Sequence, residues 1–263
     1  MIIDRLHRRF SARLACGAAA LLALALLSAC GNRDDAILEI GASQLYEQGA
    51  EALLAGNYAG AVNNFQNLAI RYPFSPEMRQ AQLDLIYAYY RSSQPDAALD
   101  IATNFIRENP RLPEVAYCLY MTGIIYFDKA PNILERLFRV DVTERPPDES
   151  YQAFSAFQDL LREYPNSRYA ADARQRMIYL RNRLATYENH VARYYLDRGA
   201  YVAAISRGTY AIEHFPGAPE LEETLELMIE AYELLGKTDL AADTRRVLQE
   251  SFGDSAAEDA AGA

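Results

Sequence analysis

Apolar residues are distributed along the 263-residue chain in two patterns. Leu14 to Leu27 run apolar without interruption, behind a head that carries Arg5, Arg8, Arg9 and Arg13 against a single Asp4. A bilayer-spanning helix needs about twenty such residues, so this shorter run, with small residues at its end, predicts a cleaved export signal over residues 1–29. From Leu45 the apolar positions are broken up by polar ones: "LYEQGAEALLAGNYAGAVNNFQNLAIRYP" places small Gly49, turn Gly56, then Tyr58, Ala61 and Phe65 ahead of Pro73. The spacing predicts two antiparallel helices. Gly49 and Ala61 let them approach closely, Phe65 fills the space between them, and the proline stops the second helix.

The same frame recurs, as in a tetratricopeptide array. Ala98, Phe105 and Pro110 mark a second unit; Gly123 and Tyr126 open a third, which continues at Ala153, Phe157, Leu160 and Pro165. Gly199, Tyr201, Ala204, Ala211 and Pro216 fit a fourth unit behind a long helical stretch from about Tyr169, and Gly236, Ala241 and Leu248 fit a fifth. The expected fold is all-α, a right-handed superhelix of about five tetratricopeptide-like hairpins over residues 42–252. An insertion, "DKAPNILERLFRVDVTERPPDE", interrupts it at 128–149. Pro146-Pro147 forbids continuous helix there, and a short helix is expected at Ile133 to Phe138. Residues 253–263, "GDSAAEDAAGA", read as a disordered tail.

Charge narrows the function. Removing residues 1–29 takes the net charge from -10 to about -13, which disfavours nucleic-acid and acidic-headgroup binding because both need a basic footprint. Cys16 falls in the signal and Cys118, in "VAYCLYM", reads as a buried small apolar residue. The third cysteine is Cys30. Leu27-Ser28-Ala29-Cys30 resembles the bacterial lipoprotein box, in which the cysteine is lipidated and becomes the mature N-terminus. That implies a lipid anchor at Cys30 with a tether over residues 30–41. No Asp directly follows the cysteine, where Gly31 stands, which points to the outer membrane, and two or three acyl chains give stable attachment.

Four stretches carry a further resemblance: "RYPFSPEMRQAQLDLIYAYY" at 71–90, "FIRENPRLPEVAYCLYMTG" at 105–123, "FRVDVTERPPDESYQAFSAFQDLLREYPNSRYA" at 138–170 and "VARYYLDRGAYVAAISR" at 191–207. They resemble the BamD family, tetratricopeptide lipoproteins of the bacterial β-barrel assembly machine. Inside the insertion the chain departs from that family, with Arg145-Pro146-Pro147 where Arg-Asp-Pro is common. The resemblance implies a non-enzymatic adaptor on the periplasmic face of the outer membrane. Its implied partners are the periplasmic domains of BamA, other Bam lipoproteins and unfolded outer-membrane β-barrel proteins. Arg207 matches the arginine through which the family contacts BamA.

The residues agree that catalysis is not the task. They contain no phosphate-cradling glycine loop, HExxH, CxxC or nucleophile elbow, and no cofactor or metal site is expected. His190 and His214 read as surface or packing residues. In a tetratricopeptide superhelix the first helix of each unit lines the concave groove. That places Tyr46, Leu53, Leu54, Leu83, Tyr87, Tyr90, Arg91, Tyr117, Tyr120, Ile124 and Phe127 on one surface. Tyr46, Leu83, Tyr87, Tyr90, Arg91, Tyr120 and Phe127 form the candidate substrate-peptide groove, since tyrosines offer apolar area and a hydroxyl to an extended aromatic-rich peptide. Residues 162–207 hold nine arginines, whereas 213–233 hold seven acids and no lysine or arginine. This charge switch reads either as pairs on exposed helices or as a polar docking surface. A pilotin for secretin assembly would share anchor and repeats but lack the insertion and Arg71-Tyr72-Pro73-Phe74.

Overall fold

The computed structural model describes residues 41–129 and 147–261, with side chains through Gly253. Cys30, the signal segment, nearly all of the tether and the helix expected at Ile133 to Phe138 lie outside the described residues. Ten helices follow one another there: α1 Ala42–Leu54, α2 Tyr58–Arg71, α3 Met78–Arg91, α4 Pro95–Glu108, α5 Val115–Lys129, α6 Asp148–Glu163, α7 Ala170–Asp197, α8 Tyr201–His214, α9 Leu221–Leu234 and α10 Thr238–Ala261. They pair as five hairpins, each packed on the next. First helices also touch across units, α1 with α3, α3 with α5 and α7 with α9. The array is thus the tetratricopeptide-like superhelix that the repeat frame predicts.

Local chemistry sets the joints. Pro73, Pro110, Pro165 and Pro216 each stand two residues beyond the end of a second helix, where the missing N–H and the ring forbid continuation. The turns inside the hairpins need a left-handed residue, and Gly56, Gly199 and Gly236 supply it with φ of 74°, 72° and 68°. In the second hairpin Ser93 takes that conformation instead, with φ of 60°.

The core is a row of ring-on-glycine contacts and small residues. Phe65, Phe105, Phe157 and Phe215 are fully buried. A Cβ on Gly49 would stand 2.4 Å from the Phe65 ring, and one on Gly123 would stand 2.4 Å from the Phe157 ring. In the first and third hairpins glycine is what allows the two helices to close over the phenylalanine. Cys118 is buried, and desolvation pushes its thiol up to about 12, leaving it inert at neutral pH.

One feature differs from expectation. The backbone of α10 continues through the segment read as a tail, to Ala261; its alanines favour helix more than its low hydrophobicity disfavours it. The helical stretch from Tyr169 is one unbroken helix, α7, of 28 residues. Ala173 and Leu180 pack toward the third hairpin, Leu184 and Ala185 toward α8, and Ala192 and Leu196 toward the end of the array.

Candidate functional site

The first helices do form a groove, of about 950 Å³. Leu53 of α1, Leu83 and Tyr87 of α3, and Ala116 and Tyr117 of α5 supply its apolar wall. Gln80, Asp84 and Glu114 supply its polar groups, and the turn Glu163–Tyr169 closes one side. That turn was not legible as groove lining, because "YPNSRY" reads only as a loop that follows a helix. Asp84 is held up by burial, against which the hydrogen bonds from Gln80 and Tyr46 pull its carboxyl down; the net direction is upward.

Of the seven predicted groove residues, Leu83 and Tyr87 line the cavity. The others are occupied within the chain. The Tyr46 hydroxyl donates to Asp84 at 3.0 Å, tying α1 to α3, and burial raises that hydroxyl to about 12. Tyr120 stacks on Tyr169 with ring centroids 4.8 Å apart and donates to Asp172 at 2.8 Å. Arg176 meets the same carboxylate at 2.7 Å. Tyr90 donates to Asp128, while Phe127 lies edge-on to Tyr179 and beneath the Arg176 guanidinium, 4.9 Å from its ring centre. Arg91 donates to the Tyr87 hydroxyl and lies 4.7 Å over the Tyr58 ring. It is exposed, and its remaining N–H groups face no carboxylate among the described residues. Leu54, also placed on that surface, is 89% exposed at the end of α1, away from the cavity lining.

An ion pair joins the basic stretch of α7 to the acidic stretch of α9. Arg193 meets Glu223 at 2.6 Å, and Glu223 also accepts from Asn189. Arg207 is half-exposed on α8 and reaches Glu188 of α7 at 3.3 Å. Glu188 is buried and accepts a second hydrogen bond, at 2.5 Å, from the Tyr151 hydroxyl of α6. Desolvation is the largest influence on the Arg207 guanidinium and pulls it down, but Glu188 outweighs it and the net direction is up. The sequence hid this arrangement, since a helical Glu reads as a solvated one. Among the described residues no group of three His, Cys, Asp or Glu is placed to hold a metal ion, and no helix is long and apolar enough to cross a membrane.

Comparison with known proteins identifies relatives of the chain. A family model described as outer membrane lipoprotein, YfiO, matches residues 39–248. The outer membrane protein assembly factor BamD of Vibrio cholerae serotype O1 is 40% identical over 231 residues, covering 87% of this chain and 95% of its own. The factor of the same name from Neisseria meningitidis serogroup A is 41% identical over 212 residues, covering 81% of this chain and 79% of its own. Among solved structures, a tetratricopeptide protein of Thermus thermophilus overlaps loosely, at 15% identity and a TM-score of 0.36 over 81% of this chain and 98% of its own. The chain therefore belongs to the YfiO outer membrane lipoprotein family, which includes the assembly factors BamD.

Proposed function

We propose that this chain is an outer-membrane protein assembly factor that works by holding other proteins rather than by chemistry. Its relatives carry that name over most of their length. In this reading Cys30 bears the lipid that attaches the chain to the outer membrane, and the helical array faces the periplasm. The groove between α1, α3 and α5 receives extended segments of unfolded β-barrel proteins, and the rear half, including Arg207, docks on the periplasmic domains of BamA alongside other Bam lipoproteins.

The observation that carries the reading is the groove itself. It is large enough for several side chains, and it presents the apolar faces of Leu53, Leu83, Tyr87 and Tyr117 beside Gln80, which can bond a peptide backbone. The test is a photo-reactive residue at position 87 in cells that make β-barrel proteins. Cross-links to unfolded barrel chains, and recovery of BamA with the chain from detergent-solubilised membranes, are the expected results. A chain that recovers a secretin in place of BamA would overturn the reading. Cys30→Ala should release the protein from the outer membrane on fractionation.

A further inference from the structure

Two arginines on α7 stand apart from the paired ones. Arg174 donates to the Pro165 carbonyl at 3.0 Å. Arg181 donates to the Pro216 carbonyl at 3.3 Å and to the Asn182 side-chain oxygen at 3.0 and 3.1 Å. Among the described residues all these acceptors are neutral, whereas Arg176 and Arg193 on the same helix hold carboxylates. A guanidinium has five N–H donors, so both arginines are fixed in place by part of their hydrogen-bonding capacity and keep the rest, with an uncompensated charge.

Both line one pocket of about 430 Å³ between α6, α7 and the turn after α8. Phe154, Leu161 and Met177 make it apolar, and Ile178, in the same lining, is 53% exposed. Its volume lies within the range of roughly 300–1,000 Å³ usual for binding pockets. The two arginines are seven residues apart, about 10 Å along the helix, which leaves room for one apolar side chain between two acidic ones.

We propose that this pocket docks a segment of a partner protein in which a leucine or phenylalanine is flanked by carboxylates. The apolar side chain enters the pocket, and the carboxylates take the free N–H groups of Arg174 and Arg181. Charge complementarity favours that occupant: the chain as a whole is acidic, at -10, so acidic segments are repelled elsewhere and admitted here. Guanidinium forks match carboxylates in geometry as well as charge. The site uses neither the α1–α3–α5 groove nor Arg207, so it stands or falls separately from the assembly reading.

The test uses the full chain in detergent and a fluorescein-labelled peptide, Glu-Asp-Leu-Phe-Glu-Asp, with Gln-Asn-Leu-Phe-Gln-Asn as its neutral control. Fluorescence anisotropy should show the acidic peptide binding at least tenfold more tightly than the control. Arg174→Gln with Arg181→Gln should weaken it at least tenfold, and Arg174→Lys with Arg181→Lys should restore part of the loss, since charge returns without the fork, which a folding defect would not allow. Tyr87→Ala should leave it unchanged. Equal binding of the two peptides, undiminished binding by the glutamine variant, loss in Tyr87→Ala, or displacement of the peptide by phosphatidylglycerol vesicles would each overturn the proposal.

Discussion

Arg207 and Glu188 meet at 3.3 Å across the α7–α8 interface, the arginine side chain 42% exposed and the glutamate 1%. One end of this pair faces solvent and the other is fixed in the core by Tyr151. Reversing the arginine would place two carboxylates together with one of them buried. Arg207→Glu should therefore lower stability by about 2–4 kcal/mol, because a buried charge loses its partner. Chemical denaturation checks this, and Arg207→Gln combined with Glu188→Gln should recover most of the loss. It follows that loss of BamA binding by Arg207→Glu would mix misfolding with lost contact. Arg207→Lys, which keeps the charge beside Glu188, is the cleaner probe of docking.

Asp84 gives the chain a pH dependence. Burial holds its carboxyl above the ordinary value of 3.8, so the folded chain keeps this proton more tightly than the unfolded one. The group thus favours folding below 3.8 and ceases to do so as pH rises through the elevated value. The hydroxyl of Tyr46 works in the opposite sense by stabilising the carboxylate. Tyr46→Phe should cost about 1.5–3 kcal/mol at pH 7, where a hydrogen bond to a charge is lost. That cost should shrink as Asp84 protonates, which thermal melts between pH 3 and pH 7 will follow.

Tyr87 and Tyr120, both expected in the groove, should behave differently. Tyr87 lines the cavity, whereas Tyr120 is held by Tyr169, Phe157 and Asp172. Tyr87→Ala should weaken binding of an extended aromatic peptide severalfold with a smaller fall in melting temperature than Tyr120→Ala, since its ring also meets Tyr58 and Tyr90. Tyr120→Ala should cost about 3–5 kcal/mol of stability through lost packing, a fall of roughly 6–20 °C in a domain of this size. Titration with a barrel-derived peptide and a melt on the same samples separate the two.

Gly123→Ala should destabilise the third hairpin, because its new methyl would overlap the Phe157 ring. A cost of about 1–3 kcal/mol is expected from overpacking. Gly123→Ala with Phe157→Leu should recover part of it, as read from the denaturation midpoint.

These contrasts mark what a linear chain reveals. Gly49 with Phe65, Gly123 with Phe157 and the prolines that end second helices were legible because each acts within one hairpin. The groove was legible only as a face. Helical period places Tyr46 and Tyr120 on it but does not show that Asp84 waits 38 residues away or that Tyr169 covers a ring 49 residues earlier. Contacts between units depend on how the units are stacked, which no single unit encodes. Glu188 was hidden because its partners lie far along the chain, Tyr151 of α6 37 residues before it and Arg207 of α8 19 residues after it.

The unbroken course of α7 bears on how this protein comes apart. Arrays of small repeats unzip from their ends, since each repeat touches only its neighbours. Here a rod about 42 Å long, at 1.5 Å per residue over 28 residues, belongs to α6 at one end and to α8 and α9 at the other. It acts as a splint: fraying from either terminus must break a continuous ladder of backbone hydrogen bonds before it can cross the middle. A pull applied to one end of the array is therefore passed along the rod toward the other half.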